Sequence, residues 1–297
     1  IREDFDYYSN LYLKIIDEDI FNKSYGQYVF YNRLNEQNRQ YLLIMSACTC
    51  DDPNEEIKIK EVSKLFDRHF VLLQLFGCYD SNSFTDSIVY LNNAIRNKDI
   101  EEIKDLFLKR LIEDINKVKN IGINDLFHYS LFKDRNNNLP IRFIRYFFAR
   151  IENYISSSGG FEELSKNQFY DLVRNKGHVN GYHIEHILSN NDENRSLFNN
   201  DEEVFQNERN RLGALLLLKG KDNISSSNEL YINKLKTYSS SNLWNRTLIS
   251  DFYHTNKDFH QFINNEGLDF KPYNKFDGDA VEERQKLLFD IVKKIWG

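Results

Sequence analysis

The sequence predicts a mainly helical α+β chain in which one short strand–strand–helix unit interrupts long amphipathic helices. Three observations carry this. Only three prolines and twelve glycines occur in 297 residues, which is not the turn-dense composition of a many-stranded sandwich. Apolar residues recur at the helical period through the first half of the chain. Beyond a Ser/Gly-rich break the pattern changes to two short apolar runs separated by polar chain. Hydrophobic residues make up 41% and aromatic residues 14%, which excludes a disordered chain.

The elements follow in order. From Ile57 to Phe76, the residues Ile59, Val62, Leu65, Phe66, Phe70 and Leu73 keep a period near 3.6 and predict a helix. From Ile100 to Val118, Ile103, Leu106, Phe107, Leu111 and Ile115 form an apolar stripe with charges opposite. Pro140 is placed to open a third helix, whose stripe is Ile141, Ile144, Phe147, Phe148, Ile151 and Ile155. The run Ser156-Ser157-Ser158-Gly159-Gly160 ends it and reads as a linker, so a helical domain over 1–158 and a second domain over 161–297 are expected. Tyr182 to Leu188 and Leu212 to Leu218 read as strands, with polar loop from Ser189 to Asn200. Ser226-Ser227-Asn228-Glu229 has the form of a capping box opening a helix to about Tyr238. Ala280 to Trp296 is a closing amphipathic helix.

The formal net charge of −6 argues against a uniformly basic nucleic-acid binder, but the distribution is uneven. From Arg209 to Arg246 seven basic residues face two acidic ones, a local balance of +5, whereas Tyr182 to Glu208 carries −6. The basic window covers the second strand and the helix after it, where phosphates would approach. Cys48, Cys50 and Cys78 lie in or beside apolar stretches, without zinc spacing, and read as reduced core thiols of a cytoplasmic protein. No apolar run reaches the ~20 residues needed to span a membrane, and no signal peptide is visible. The chain begins at Ile1 without Met, as expected of a piece of a longer protein.

The chemistry centres on Glu185-His186 at the end of the first strand. A carboxylate beside an imidazole can bind a metal and activate water, and histidine suits a general base because its pKa lies near neutrality. Alone the pair is weak evidence, since His and Glu adjoin by chance in many proteins. Asn223, read as standing at a helix entrance, offers an amide oxygen suited to a hard cation.

The segments His183-Ile184-Glu185-His186-Ile187-Leu188, then Leu212-Gly213-Ala214-Leu215-Leu216-Leu217-Leu218, then Asn223, and Ser227-Asn228 to Lys234, together resemble the HNH nuclease domain at the C-terminus of GmrSD-type modification-dependent restriction enzymes. That family reads E-H-I-L-P, G-N-L-x-L-L, N, then S-N-x-x-[FY]-x-x-K. The resemblance implies a mainly α chain with a small ββα-metal (HNH) nuclease core. It also implies that His186 is the general base, that Glu185 and Asn223 hold one Mg²⁺ or Mn²⁺, and that the substrate is double-stranded DNA, including modified phage DNA, in bacterial anti-phage defence. Members often carry an upstream nucleotide-hydrolysing or sensing domain; no P-loop pattern occurs here. Arg211 and Lys234 are the first candidates for phosphate contacts, with Arg209 and Lys221 next to them.

Two departures stand out. Ala214 occupies the middle asparagine position of the family pattern, the residue expected to orient the loop bearing the histidine, and Ser189 replaces the family's proline. Ala214 therefore motivates an alternative function, a catalytically weakened or inactive nuclease-fold DNA-binding module. A helical interaction scaffold is a third reading, supported by the acidic total and the helical first half. Strict alternation sends Glu185 and His186 to opposite faces of their strand, so a shared site needs the strand to twist or end there.

Overall fold

The structure, a computed structural model, describes residues 2–226 and 228–297. It divides into two compact units, Ile1–Leu131 and Phe132–Gly297. In the first, α1 (Arg2–Ile16), α2 (Gln27–Leu34), α3 (Gln40–Ala47), α4 (Glu55–Leu75), α5 (Ser81–Ala94) and α6 (Ile100–Lys119) follow one another. The stripes read from the sequence are α4 and α6. Helix α4 packs on α2, α3 and α6, and buries Ile59, Val62, Phe66, Val71 and Leu72 completely. Each such side chain removed from water contributes roughly 1.5–3 kcal/mol. Asp99 opens α6 with a reciprocal capping box to Glu102, which satisfies two otherwise orphaned amides. Cys48 and Cys78 are buried as expected; Cys50 is exposed, because it falls in the turn where the chain leaves α3 and the core.

The second unit contains α7 (Ile141–Ser158), α8 (Lys166–Arg174), β1 (Tyr182–His186), α9 (Asp192–Ser196), α10 (Glu202–Arg209), β2 (Leu215–Lys219), α11 (Gly220–Ser226), α12 (Tyr231–Tyr238), α13 (Leu243–Arg246), α14 (Ser250–Thr255), α15 (Lys257–Glu266) and α16 (Gly278–Trp296). The Ser156–Gly160 run does end α7, but it lies inside this unit rather than between units. The reason is the stripe of α7 itself, which packs on α8, α13 and both strands, so chain on either side of the run shares one core. The loop expected after β1 contains α9, opened by the Asn191 side chain accepting from the Asn194 amide.

Strands β1 and β2 pair antiparallel, with Tyr182 opposite Lys219 and His186 opposite Leu215. Leu215 to Leu218 are buried on both faces, which explains an apolar run without alternation. The first residues of the expected second strand, Leu212–Ala214, form a 3-10 turn instead. Gly213 in that turn lies against α16: a Cβ there would stand 2.7 Å from the Gln285 nitrogen and the Val281 oxygen, both backbone. Only glycine admits this approach. The expected capping box on Ser226–Glu229 includes Ser227, outside the described residues; α12 begins at Tyr231, and its N-cap, Leu230, makes no side-chain cap.

Candidate functional site

Alternation along β1 holds and sorts the two central residues onto different partners. Glu185 turns inward and is 5% exposed. Its Oε1 accepts from Lys234 Nζ at 2.5 Å and from the Tyr238 hydroxyl at 3.3 Å. Lys234 is fully buried and also donates to the His186 carbonyl at 2.9 Å. Helical spacing explains the pair, since Lys234 and Tyr238 are four residues apart on one face of α12. Burial pushes the Glu185 carboxyl up and the Lys234 ammonium down, and each charge opposes the other's shift.

His186, on the opposite face and half-buried, meets a different set of groups. Its Nε2 lies 2.9 Å from Asn210 Oδ1 and 3.4 Å from Asn137 Nδ2. Asn137 Nδ2 also donates to Asn210 Oδ1 at 3.0 Å. The shorter contact is to an acceptor, which assigns the ring proton to Nε2 and leaves Nδ1 as the basic nitrogen. Burial, helped by the Arg209 guanidinium and the Lys234 ammonium, pushes the imidazole down to about 4, while the Asn210 hydrogen bond opposes this. The ring is thus neutral near pH 7 and equipped to accept a proton.

Ala214 is fully buried, and its carbonyl accepts from the Ile187 amide at 2.9 Å. An alanine there contributes no side-chain amide, but Asn210, four residues earlier, supplies one to the imidazole directly. The sequence reading missed Asn210 and Asn137. The polar run Arg209-Asn210-Arg211 just before the glycine turn is the one signal that pointed to the former; nothing local distinguishes Asn137. Gln285 of α16 fixes both segments. It accepts from the Gly213 amide at 2.7 Å and donates to the Phe132 and Arg135 carbonyls, each at 3.1 Å. The backbone of Asn137 then donates to the Asn210 carbonyl at 2.9 Å. Ser189, in place of proline, donates its hydroxyl to the Glu229 carbonyl at 2.9 Å and ties the end of β1 to the approach to α12.

The expected phosphate contacts Arg211 and Lys234 are committed elsewhere. Arg211 bonds Glu208 at 3.0 Å and Glu282 at 2.5 Å, with its side chain 11% exposed, and Lys234 is held by Glu185. A lysine and an arginine this enclosed stabilise the unit rather than face solvent. Arg209 is half-buried with its Nε on the Leu188 carbonyl at 3.1 Å, and Lys221 is exposed on α11.

Asn223 stands within α11 and not at a loop-to-helix entrance. It lines a cleft with Tyr182, His183 and Ile184, toward the end of the ladder where β2 passes into α11, while Glu185 turns to Lys234 and Tyr238. Of the expected ligand pair, Glu185 does not line the cleft that holds Asn223, and its carboxylate is bound to the Lys234 ammonium. Among the described residues no group of three or more His, Cys, Asp or Glu is arranged to hold a metal ion. Glu185 as placed would have to leave the Lys234 ammonium to serve as the metal ligand that the resemblance implies.

No helix of the described residues is long and apolar enough to cross a membrane. No curated protein and no solved structure matches the chain. The family described as GmrSD restriction endonucleases, C-terminal domain, matches residues 123–291, more than half of the sequence and the whole neighbourhood of His186. The chain therefore belongs to the GmrSD restriction endonuclease C-terminal domain family, a nuclease family whose substrate is DNA.

Proposed function

We propose that this chain is the nuclease effector of a cytoplasmic bacterial anti-phage restriction protein, hydrolysing phosphodiesters of double-stranded DNA in the manner of HNH enzymes. The observation that carries this is His186 at the end of β1, its Nε2 held 2.9 Å from Asn210 Oδ1. In the reaction, Nδ1 takes a proton from water as the water oxygen attacks phosphorus. The bond from phosphorus to the leaving oxygen breaks, and that oxygen is protonated from solvent. Arg209 is the cation next to the base, where it can oppose charge developing on the phosphoryl oxygens. Burial, aided by this guanidinium, keeps the imidazole from holding a resting proton, which preserves the basic form.

Dependence on Mg²⁺ or Mn²⁺ belongs to this proposal as a property of the family, and no step above is routed through the ion. DNA carrying modified bases and an upstream nucleotide-hydrolysing or sensing partner are further parts of it, as is the origin of the chain as a piece of a longer protein. One observation favours a second reading, a DNA-binding module without catalysis: Ala214 replaces the family asparagine and Lys234 holds Glu185. Plasmid cleavage with Mg²⁺ or Mn²⁺, with EDTA as the control, separates the two. The unaltered chain cuts and His186→Ala does not; cleavage undiminished in His186→Ala refutes the proposal, and no cleavage with DNA binding retained supports the second reading.

A further inference from the structure

Asn210 holds His186, yet Asn210 belongs to no strand: it follows the last turn of α10 and precedes the turn that carries Gly213. Its distance to the imidazole therefore depends on what fixes the chain around it. At one end, the Ile187 amide just past β1 donates to the Ala214 carbonyl at 2.9 Å. Along its length the segment runs beside a second stretch, 132–137. Arg211 and Asn136 form an isolated antiparallel bridge there. The Leu212 amide donates to the Arg135 carbonyl at 3.0 Å, and the Asn137 amide donates to the Asn210 carbonyl at 2.9 Å. The Asn137 side chain reaches Asn210 Oδ1 at 3.0 Å and stands 3.4 Å from His186 Nε2. Neither stretch belongs to the β1–β2 sheet, so no strand ladder holds their register.

Gln285 joins the two stretches. It is fully buried on α16, and its amide is used on both sides. Oε1 accepts from the Gly213 amide at 2.7 Å, and the two Nε2 protons go to the Phe132 and Arg135 carbonyls, each at 3.1 Å. The preceding residue, Arg284, donates Nε to the Gly213 carbonyl at 3.1 Å, so the peptide groups on both sides of Gly213 are gripped from one helix. That helix is a firm support, because Val281, Leu288, Ile291 and Val292 are fully buried. A hydrogen bond no longer counts as one from about 3.6 Å. The 2.9 Å contact from His186 to Asn210 thus tolerates only a small slip of either stretch. We infer that Gln285 is a positioning residue for His186: it sets the spacing of the 132–137 and 210–214 stretches so that Asn210 meets Nε2 and Nδ1 is left as the base. It touches neither the imidazole nor substrate and acts through Asn210 and Asn137. This rests on the nuclease reading of His186 and deepens it by naming what holds the base in register.

The test reads the imidazole directly. At pH 7, without metal or DNA, nitrogen NMR of the histidine side chains shows which ring nitrogen carries the proton, and the signals missing in His186→Ala identify this ring. The unaltered chain shows His186 protonated at Nε2. Gln285→Met, which keeps the side-chain volume and removes all three hydrogen bonds, moves His186 toward a mixture of the two tautomers. Gln285→Asn, an amide one methylene short, is gentler to folding and moves it the same way. Ile291→Val loosens α16 without touching either stretch and leaves the His186 signals in place. In an Asn210→Ala background the contact is already gone, so Gln285→Met adds no further change. In plasmid cleavage, the Gln285 variants lose about tenfold to a hundredfold in kcat with KM for DNA little changed, as a slightly misplaced catalytic group does. His186 signals unchanged in both Gln285 variants overturn the inference, as does an equal change in Ile291→Val or an additive change on Asn210→Ala. Cleavage by the unaltered chain with kcat unchanged in the Gln285 variants removes the inference and leaves the nuclease reading standing. No cleavage by any chain, with the tautomer change present, removes the nuclease reading and leaves Gln285 as the residue that holds the imidazole.

Discussion

Replacing Lys234 by alanine tests whether Glu185 is a carboxylate stabilised by an enclosed counter-ion. The ammonium is fully buried, 2.5 Å from Glu185 Oε1 and 2.9 Å from the His186 carbonyl. Without it, a carboxylate that is 5% exposed keeps only the Tyr238 hydroxyl at 3.3 Å. Breaking one partner out of a buried ion pair costs about 3–5 kcal/mol, because the surviving charge is left desolvated. The loss depends on pH with a definite sign. In Lys234→Ala, burial holds the folded Glu185 carboxyl above its unfolded value, so the folded state binds the extra proton and stability falls as pH rises past the usual carboxylate range. The deficit is thus larger at pH 8 than at pH 5. Urea unfolding followed by tryptophan fluorescence reads this in the right unit, since both tryptophans, Trp244 and Trp296, lie beyond Phe132. The double variant Glu185→Gln/Lys234→Met removes both charges and recovers most of the loss. A Lys234→Ala deficit below about 1 kcal/mol, or one that does not change between the two pH values, refutes the reasoning.

Glu152, enclosed in α7, accepts from the Leu243 and Trp244 amides at 2.6 and 2.9 Å, and burial pushes its carboxyl up to about 7. Its folded value exceeds the unfolded one, so stability falls by about 3 kcal/mol between roughly pH 4.5 and 7; Glu152→Gln, measured by urea midpoints, flattens that window. Gly213→Ala drives a Cβ into the backbone of α16 and destabilises by about 1–3 kcal/mol or more, read as a lowered urea midpoint with unchanged slope. Asn210→Ala releases His186 Nε2 and lowers kcat about tenfold to a hundredfold with KM for DNA little changed; Asn210→Asp restores a hydrogen bond but raises the imidazole pKa, so the acid limb of its pH profile moves upward. Equal losses in kcat and affinity for Asn210→Ala identify a structural rather than a positioning residue.

Much of the candidate site was written locally. Adjacent Glu185 and His186, the glycine at 213 and the capped, striped helices are features of neighbouring residues, where side-chain chemistry and a 3.6- or 2-residue period act over a few positions. Even the opposite-face placement of Glu185 and His186 follows from alternation. A Ser/Gly run marks only where a helix stops; whether the chain beyond it joins the same core depends on what α7 packs against.

Sequence by itself therefore pointed to the family, the long helices, the strand pair and the position of the imidazole. Tertiary structure decided partners. Lys234, from a basic window that suggested phosphate contacts, meets a carboxylate 49 residues earlier. Asn210 supplies the amide that Ala214 lacks, joined by Asn137 from 73 residues before it. Gln285 clamps Gly213 across 72 residues. Asn223 joins Arg142 and Lys176 in a cleft rather than Glu185. Charge and hydrogen-bonding capacity are properties of a residue, but the free energy of using them depends on burial and on which opposite group arrives within about 3 Å, and folding alone brings such distant groups together.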